Sequence, residues 1–228
     1  MSFSAVGKHL GIVLPGGTVL FTTRNGGVSE GPFASLNLGL WTDDDEDRVR
    51  ENRARVERIG GGRLAQGRQV HGTTVVESDP DTVVEADGQV TDRPGVAPIV
   101  LVADCVPIAL VSPEAVGMVH AGWRGLAGGI VGEAVQRLRS LGAARIAAAV
   151  GPGAGPCCYE VGEEVHAAFG TSGRTVDLKA IARGRLEEAG VEEVHDSGLC
   201  TMCDSERFFS HRRDGGVTGR QAGVVWRS

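Results

Sequence analysis

Short apolar runs rich in β-branched residues recur along the chain, broken by glycine, proline and charge. Thr18–Thr23, Ile99–Ala103, Ile108–Val111, Val116–Val119, Arg145–Val150, Val191–His195 and Gln221–Trp226 predict strands, with Thr73–Glu77 as a short additional one. Helical spacing is clearest over Gly125–Leu141, where Leu126, Ile130, Val131, Ala134, Val135, Leu138 and Leu141 share one face and Gly142 supplies the stop. Glu160–Phe169, with Val161, Val165 and Phe169 in register, and Asp177–Ala189, ended by Gly190, predict two more helices. Asp43–Ile59 begins acidic and turns Arg-rich, as the helix dipole favours. Its larger apolar positions are few (Val49, Val56 and Ile59), so it reads as a surface helix with a narrow buried edge. Pro32–Trp41 reads as a loop and Glu85–Gly88 as a turn. Strands interleaved with helices indicate the α/β class, and 228 residues fit a single domain, 1–228.

Composition narrows the function. Hydrophobic residues make up 41%, enough for a sizeable core, and no apolar run approaches the roughly 18 residues of a membrane span. A net charge of −6 and 4% aromatic residues argue against a nucleic-acid partner, which needs a basic stripe or stacking platforms. The first ten residues lack the charged and apolar segments of a signal peptide, so a cytoplasmic protein with reduced thiols is expected. The 35 glycines lie at turns between strands, which suits tight connections rather than disorder.

Candidate chemistry gathers at residues 99–129. The first central strand stops at Asp104-Cys105, and the third ends in His120 before the Gly-rich Ala121-Gly122-Trp123-Arg124-Gly125. Upstream, His71 stands beside Gly72 in Gln69-Val70-His71-Gly72. His71, Cys105 and His120 make a His₂Cys set, which fits zinc with one position left for water or substrate. Two other readings use the same side chains. Cys105 and His120 suit a thiolate–imidazole nucleophile pair, and the set with Met118 as axial ligand suits a blue-copper centre. Asp104 is either a proton shuttle or an orienting partner of the metal ligands. Six histidines are too few for a multinuclear copper cluster, and the H-x-E with P-C-x-x-C signature of the zinc deaminases is absent.

Anion-binding candidates lie on two segments. Arg24-Asn25-Gly26-Gly27-Val28-Ser29 follows a strand and reads either as a hairpin turn or as an oxyanion loop with Arg24 and Ser29 as donors. Arg124 opens the long helix, whose N-terminus would favour an anion. The other four cysteines carry no clear chemistry: Cys157-Cys158 would point to opposite faces of an extended chain. Cys200-Thr201-Met202-Cys203 is a single C-x-x-C with no second half.

T-T-R-N-G-G-V-S, Q-V-H-G, V-A-D-C-V-P, V-H-A-G-W-R-G-L-A-G-G, G-P-G-A-G-P-C-C-Y-E-V-G and F-F-S-H-R-R-D-G-G together resemble the YfiH family, also called the laccase-domain or polyphenol-oxidase family. The resemblance spans nearly the whole chain in order. It implies an αββα sandwich of mixed β-sheets flanked by helices. It also implies zinc, with copper as the older assignment, held by His71, Cys105 and His120. The activity it implies is phosphorolysis of adenosine, inosine and methylthioadenosine, with deamination of adenosine. The substrates are then purine nucleosides and phosphate, for which Arg24, Ser29, Asn37 and Arg124 are the candidate contacts. The fold also resembles a toxin domain that hydrolyses through a Cys–His pair, and a zinc-stabilised binding module remains a non-enzymatic alternative.

Overall fold

The computed structural model describes residues 1–60 and 62–228. In chain order the strands and helices are β1 (Ser4–Val6), β2 (His9–Leu14), β3 (Gly17–Phe21), α1 (Glu46–Gly60), β4 (Arg63–Gln66), β5 (Val75–Glu77), β6 (Gly88–Thr91), β7 (Val96–Val102), β8 (Val106–Val111) and β9 (Val116–Ala121). They continue with α2 (Trp123–Gly128), α3 (Ile130–Ser140), β10 (Ala147–Val150), α4 (Glu163–Phe169), α5 (Leu178–Glu188), β11 (Glu193–Asp196) and β12 (Gln221–Arg227). One sheet runs β1-β2-β3-β12-β7-β4 and the other β11-β10-β8-β9-β6-β5. Pairs β4/β7, β10/β11 and β5/β6 are parallel and the other pairs antiparallel, so both sheets are mixed.

Three apolar clusters stack the layers. Ile12, Val19, Phe21 and Val225 of the first sheet meet Ala109, Val116, Met118 and Ala149 of the second, closing the space between the sheets. Leu20, Ile99 and Val224 turn the outer face of the first sheet towards Val56 of α1 and the loop residues Leu36 and Leu38. Ile108, Leu110 and Val119 turn the outer face of the second towards Leu126, Val135, Val165 and Leu186 of α2–α5. The arrangement is the αββα sandwich that the family resemblance implies. β8 is buried throughout, and continuous apolar sequence is what a strand covered on both faces requires.

The central strands lie where the pattern places them, and β12 is inside its sheet between β3 and β7. Four details differ. The long helix is two: Gly129, at φ 92°, breaks it into α2 and α3. Ile59 is exposed, and α1 buries Asn52 beside Val49 and Val56, its amide donating to the Asn37 and Ser35 carbonyls and to Ser29 Oγ. The turn over Glu85–Gly88 runs directly into β6, whose buried Gln89 donates to the carbonyl of Ala65 and hides the strand from an apolar pattern. The Arg24–Ser29 segment is no hairpin: Ser35 and Leu36 both donate to the Arg24 carbonyl, folding the segment onto the loop before α1.

Candidate metal centre and its pocket

Strand register builds the site. Across β8/β9, Val106 pairs with Ala121 and Pro107 with His120, so Cys105, immediately before β8, stands beside the end of β9. Across β6/β9, Gly88 pairs with Val119, and the His120 N–H donates to the Asp87 carbonyl at 2.7 Å. Asp87, Cys105 and His120 therefore share one end of three neighbouring strands. His71 arrives from the loop before β5, held at φ 60°. Gln69 fixes that loop by exchanging two hydrogen bonds with the backbone of Leu101, both 2.8 Å.

The ligand atoms of His71, Cys105 and His120 lie within 4.8 Å of one another. The two imidazoles meet edge to face, their centroids 4.8 Å apart. Gly122 forms the floor: a Cβ there would stand 3.1 Å from His71 Cδ2 and 3.3 Å from Cys105 Sγ. Asp87, fully buried, ties the set together. Its Oδ1 accepts from His120 Nδ1 at 2.7 Å and from the His71 N–H at 2.9 Å, and its Oδ2 accepts from the N–H groups of Val70 and Gly72. Sequence alone places Asp87 only in a turn, and its carboxylate–histidine role rests on the β6/β9 register.

The electrostatics follow from this packing. Burial opposes charge on Cys105, but His120 and His71 outweigh it and bring the thiol down to about 6. Burial likewise opposes charge on His120, while Cys105 and Asp87 raise it to about 9. Burial tends to raise the Asp87 carboxyl, yet the His120 ring and the N–H groups of Gly72 and Val70 hold it below the usual carboxylate range. An ionised thiolate, two imidazoles and a buried carboxylate behind one of them are a donor set that fits zinc. Met118 is buried between the sheets beside Gly223 rather than at the site, so the axial ligand of a blue-copper centre is missing from the pocket wall.

The triplet opens on a cavity of about 340 Å³. Its walls also carry Trp41, Gln66, Asp104, Tyr159, Arg212 and Arg220. Burial lowers the Arg220 pKa against the pull of Cys105 and Asp104. Gln66 Oε1 accepts from Arg53 at 2.7 Å, and its Nε2 has no partner.

The other candidates divide. Asp104, at φ 96°, lines the cavity, but both carboxylate oxygens are engaged: Thr201 Oγ1 donates at 2.7 Å, Arg212 N–H at 2.8 Å and Ser210 Oγ at 3.0 Å. Arg24 is outside the lining. Its guanidinium donates to the carbonyls of Ala34 and Ser205 and stacks on Phe209 at 4.7 Å. Ser29 is buried, donating to Asp44 at 2.6 Å, also away from the cavity. Asn37 sits beneath the wall, where its Oδ1 accepts from the N–H groups of Gly39 and Arg220. Arg124 is exposed and stacks on Trp123 at 4.3 Å, and six-residue α2 offers little dipole. Arg212 and Arg220, which the sequence reading left unassigned, are the cations at the cavity.

The remaining cysteines also differ from expectation. Cys157, Cys158, Cys200 and Cys203 bring four sulfurs within 4.8 Å. Cys157 and Cys158 do not point apart because they occupy a tight turn rather than an extended stretch, with Cys158 and Tyr159 both donating to the Gly155 carbonyl.

Comparison with known proteins agrees with this architecture. The family described as multi-copper polyphenol oxidoreductase laccase matches residues 18–228. A purine nucleoside phosphorylase of Pseudomonas aeruginosa is 43% identical over 222 residues, covering 90% of this chain and 91% of the relative. The purine nucleoside phosphorylase YfiH of Escherichia coli is 37% identical over 228 residues, covering 90% and 91%. A crystal structure of a Neisseria meningitidis protein superposes with a TM-score of 0.90 at 35% identity, over 97% of this chain and 99% of that one.

Proposed function

The chain belongs to the YfiH, or laccase-domain, family, and from that premise we propose that it is a zinc-dependent purine nucleoside phosphorylase. On this reading it cleaves adenosine, inosine and methylthioadenosine with phosphate, and deaminates adenosine, in the reducing cytoplasm that suits five free cysteines. The observation that carries the proposal is the convergence of His71, Cys105 and His120 on one wall of a cavity whose lining also includes Arg212 and Arg220.

His71, Cys105 and His120 would hold the zinc, which when bound lowers the pKa of a water towards about 7 and polarises a substrate atom. The chain's own residues supply the rest. In phosphorolysis a phosphate oxygen bonds to C1′ while the C1′–N bond breaks, its electron pair leaving on the purine, which takes the proton that the attacking hydrogen phosphate gives up. Arg212 and Arg220 neutralise and orient the phosphate through charge-assisted hydrogen bonds. The rings of Trp41 and Tyr159 suit the flat faces of a purine. Asp87 fixes the His120 ring. Asp104 acts as a positioning residue, since three donors already occupy its carboxylate.

Phosphate-dependent release of free base from adenosine and inosine, on protein of measured metal content, tests this. Base appearing only with phosphate, and lost in His71→Ala and Cys105→Ala, supports the phosphorylase. Inosine formed from adenosine without phosphate makes the enzyme chiefly a deaminase. The lowered Cys105 thiol beside His120 favours one other reading, a Cys–His hydrolase. Absence of purine turnover at full zinc occupancy, with a second activity abolished by alkylation of Cys105, would establish that instead.

A further inference from the structure

Four cysteines stand apart from the catalytic triplet. Cys158 Sγ lies 3.5 Å from Cys157 Sγ, 3.4 Å from Cys200 Sγ and 3.5 Å from Cys203 Sγ, and Cys157 and Cys203 are 3.3 Å apart. Two disulfides would give two short separations and leave the cross-distances long. Here one sulfur is nearly equidistant from three others, which is the pattern of a shared centre. Zinc–sulfur bonds of about 2.3 Å in a tetrahedron separate the sulfurs by about 3.8 Å, close to these values.

We propose that Cys157, Cys158, Cys200 and Cys203 hold a structural zinc ion that ties the turn after β10 to the turn after β11, and so braces one wall of the catalytic pocket. Four soft thiolates complete a tetrahedral shell with no position left for water, unlike the three-residue set at the cavity. The surroundings are shaped for it. The Gly155 N–H donates to Cys200 Sγ at 3.2 Å, which favours a thiolate. A Cβ on Gly155 would stand 3.2 Å from Cys157 Sγ and 3.4 Å from Cys200 Sγ, so a side chain there would crowd the sulfurs.

The centre reaches the pocket through its immediate neighbours. Tyr159, on the cavity wall, follows Cys158 directly. Thr201, between the two cysteines of the C-x-x-C, donates to Asp104 Oδ1 at 2.7 Å, and its N–H donates to the Gly153 carbonyl at 3.1 Å. Between those turns the Ala154 N–H donates to the Asp104 carbonyl at 2.8 Å. Loss of the ion would free both turns and with them the backbone of Asp104, one residue from a ligand of the other centre.

Metal analysis of the full chain purified without added metal tests the proposal, independently of the purine reading. About two zinc equivalents per chain are expected, falling to about one in Cys203→Ser and, separately, in His71→Ala. Cobalt loaded into a His71→Ala/Cys105→Ala chain should show the thiolate charge-transfer and tetrahedral bands of an S₄ centre. The unmodified protein gives a check that does not depend on a variant folding: exposed Cys157 and Cys203 should resist alkylation until a chelator is added. One zinc per chain with immediate alkylation of both thiols, a native mass showing disulfides, or iron in place of zinc would each overturn it.

Discussion

His120 Nδ1 stands 2.7 Å from Asp87 Oδ1, and this contact decides which ring nitrogen faces the cavity. A carboxylate only accepts, so Nδ1 keeps its proton and Nε2 is the nitrogen left to bind a metal. The same carboxylate accepts the His71 backbone N–H, so one buried acid holds the His120 ring and the loop that carries His71. Asp87→Asn keeps the size and removes the charge. Zinc affinity, measured by competition with a chelator, should fall about 10–100-fold. An unchanged affinity would mean that packing alone orients the rings.

Titration of Cys105 in the metal-free protein follows from the same packing. With its thiol at about 6, against an ordinary value of 9.0, thiolate should exceed thiol by roughly tenfold at neutral pH. Alkylation should therefore accelerate as pH rises through about 6 and level off near neutrality. His120→Ala removes the cation with the strongest effect on the thiol while burial still opposes the charge, so the profile should move to more alkaline pH. A midpoint near 9 in the unmodified protein would count against the assigned pairing.

Gly122 tests the tightness of the centre. Its φ of −73° suits any residue, so substitution strains contacts rather than backbone. The added methyl of Gly122→Ala would lie 3.1 Å from His71 Cδ2 and 3.3 Å from Cys105 Sγ, tighter than ordinary van der Waals contact. Weaker zinc binding with a nearly unchanged melting temperature is expected, because only the ligands must shift. A folded variant with full zinc affinity would show that the ligands have slack.

Thr201→Val removes one of three donors to the buried Asp104 carboxylate. An unsatisfied buried acceptor costs about 1–3 kcal/mol, and for a charged group the cost is towards the upper end. The melting temperature should drop accordingly and kcat/KM should fall, while zinc at the His71 site is retained. Equal activity across the substitution would mean that Asp104 is held well enough by Ser210 and the Arg212 N–H alone.

The triplet His71, Cys105 and His120 was legible as a candidate because chemistry and punctuation coincide: Cys105 and His120 stand at the ends of apolar runs, and Gly72 and Gly122 lie close by in sequence. The strands that escaped the pattern did so for local reasons. β4, Arg-Leu-Ala-Gln, has no β-branched residue, and β6 buries Gln89 against carbonyls from two other strands. Asp87 took its role from register, which a lone Asp-Gly turn does not reveal. The cysteine cluster was hidden differently. Its halves, Cys-Cys and C-x-x-C, share no spacing, and the parallel β10/β11 pair, continued by the Thr201 N–H on the Gly153 carbonyl, brings the turns that carry them together.

Phosphate recognition separates the two arginine assignments most sharply. The spacing of Arg24 beside glycines suggests an oxyanion loop, but its donors go to Ala34 and Ser205 and its face to Phe209. Arg24→Ala should lower stability and leave the phosphate KM unchanged. Arg212 lines the cavity, donates to the Glu160 carbonyl through Nη1 at 2.7 Å and lies over the Tyr159 ring at 5.2 Å. Arg212→Ala should raise the phosphate KM by roughly tenfold or more, as loss of a charge-assisted contact predicts. Arg212→Lys should recover only part of that, since a point charge does not replace a planar fork. The reverse outcome, a phosphate KM that responds to Arg24 and not to Arg212, would move the anion site out of the cavity and with it the direction from which phosphate meets C1′.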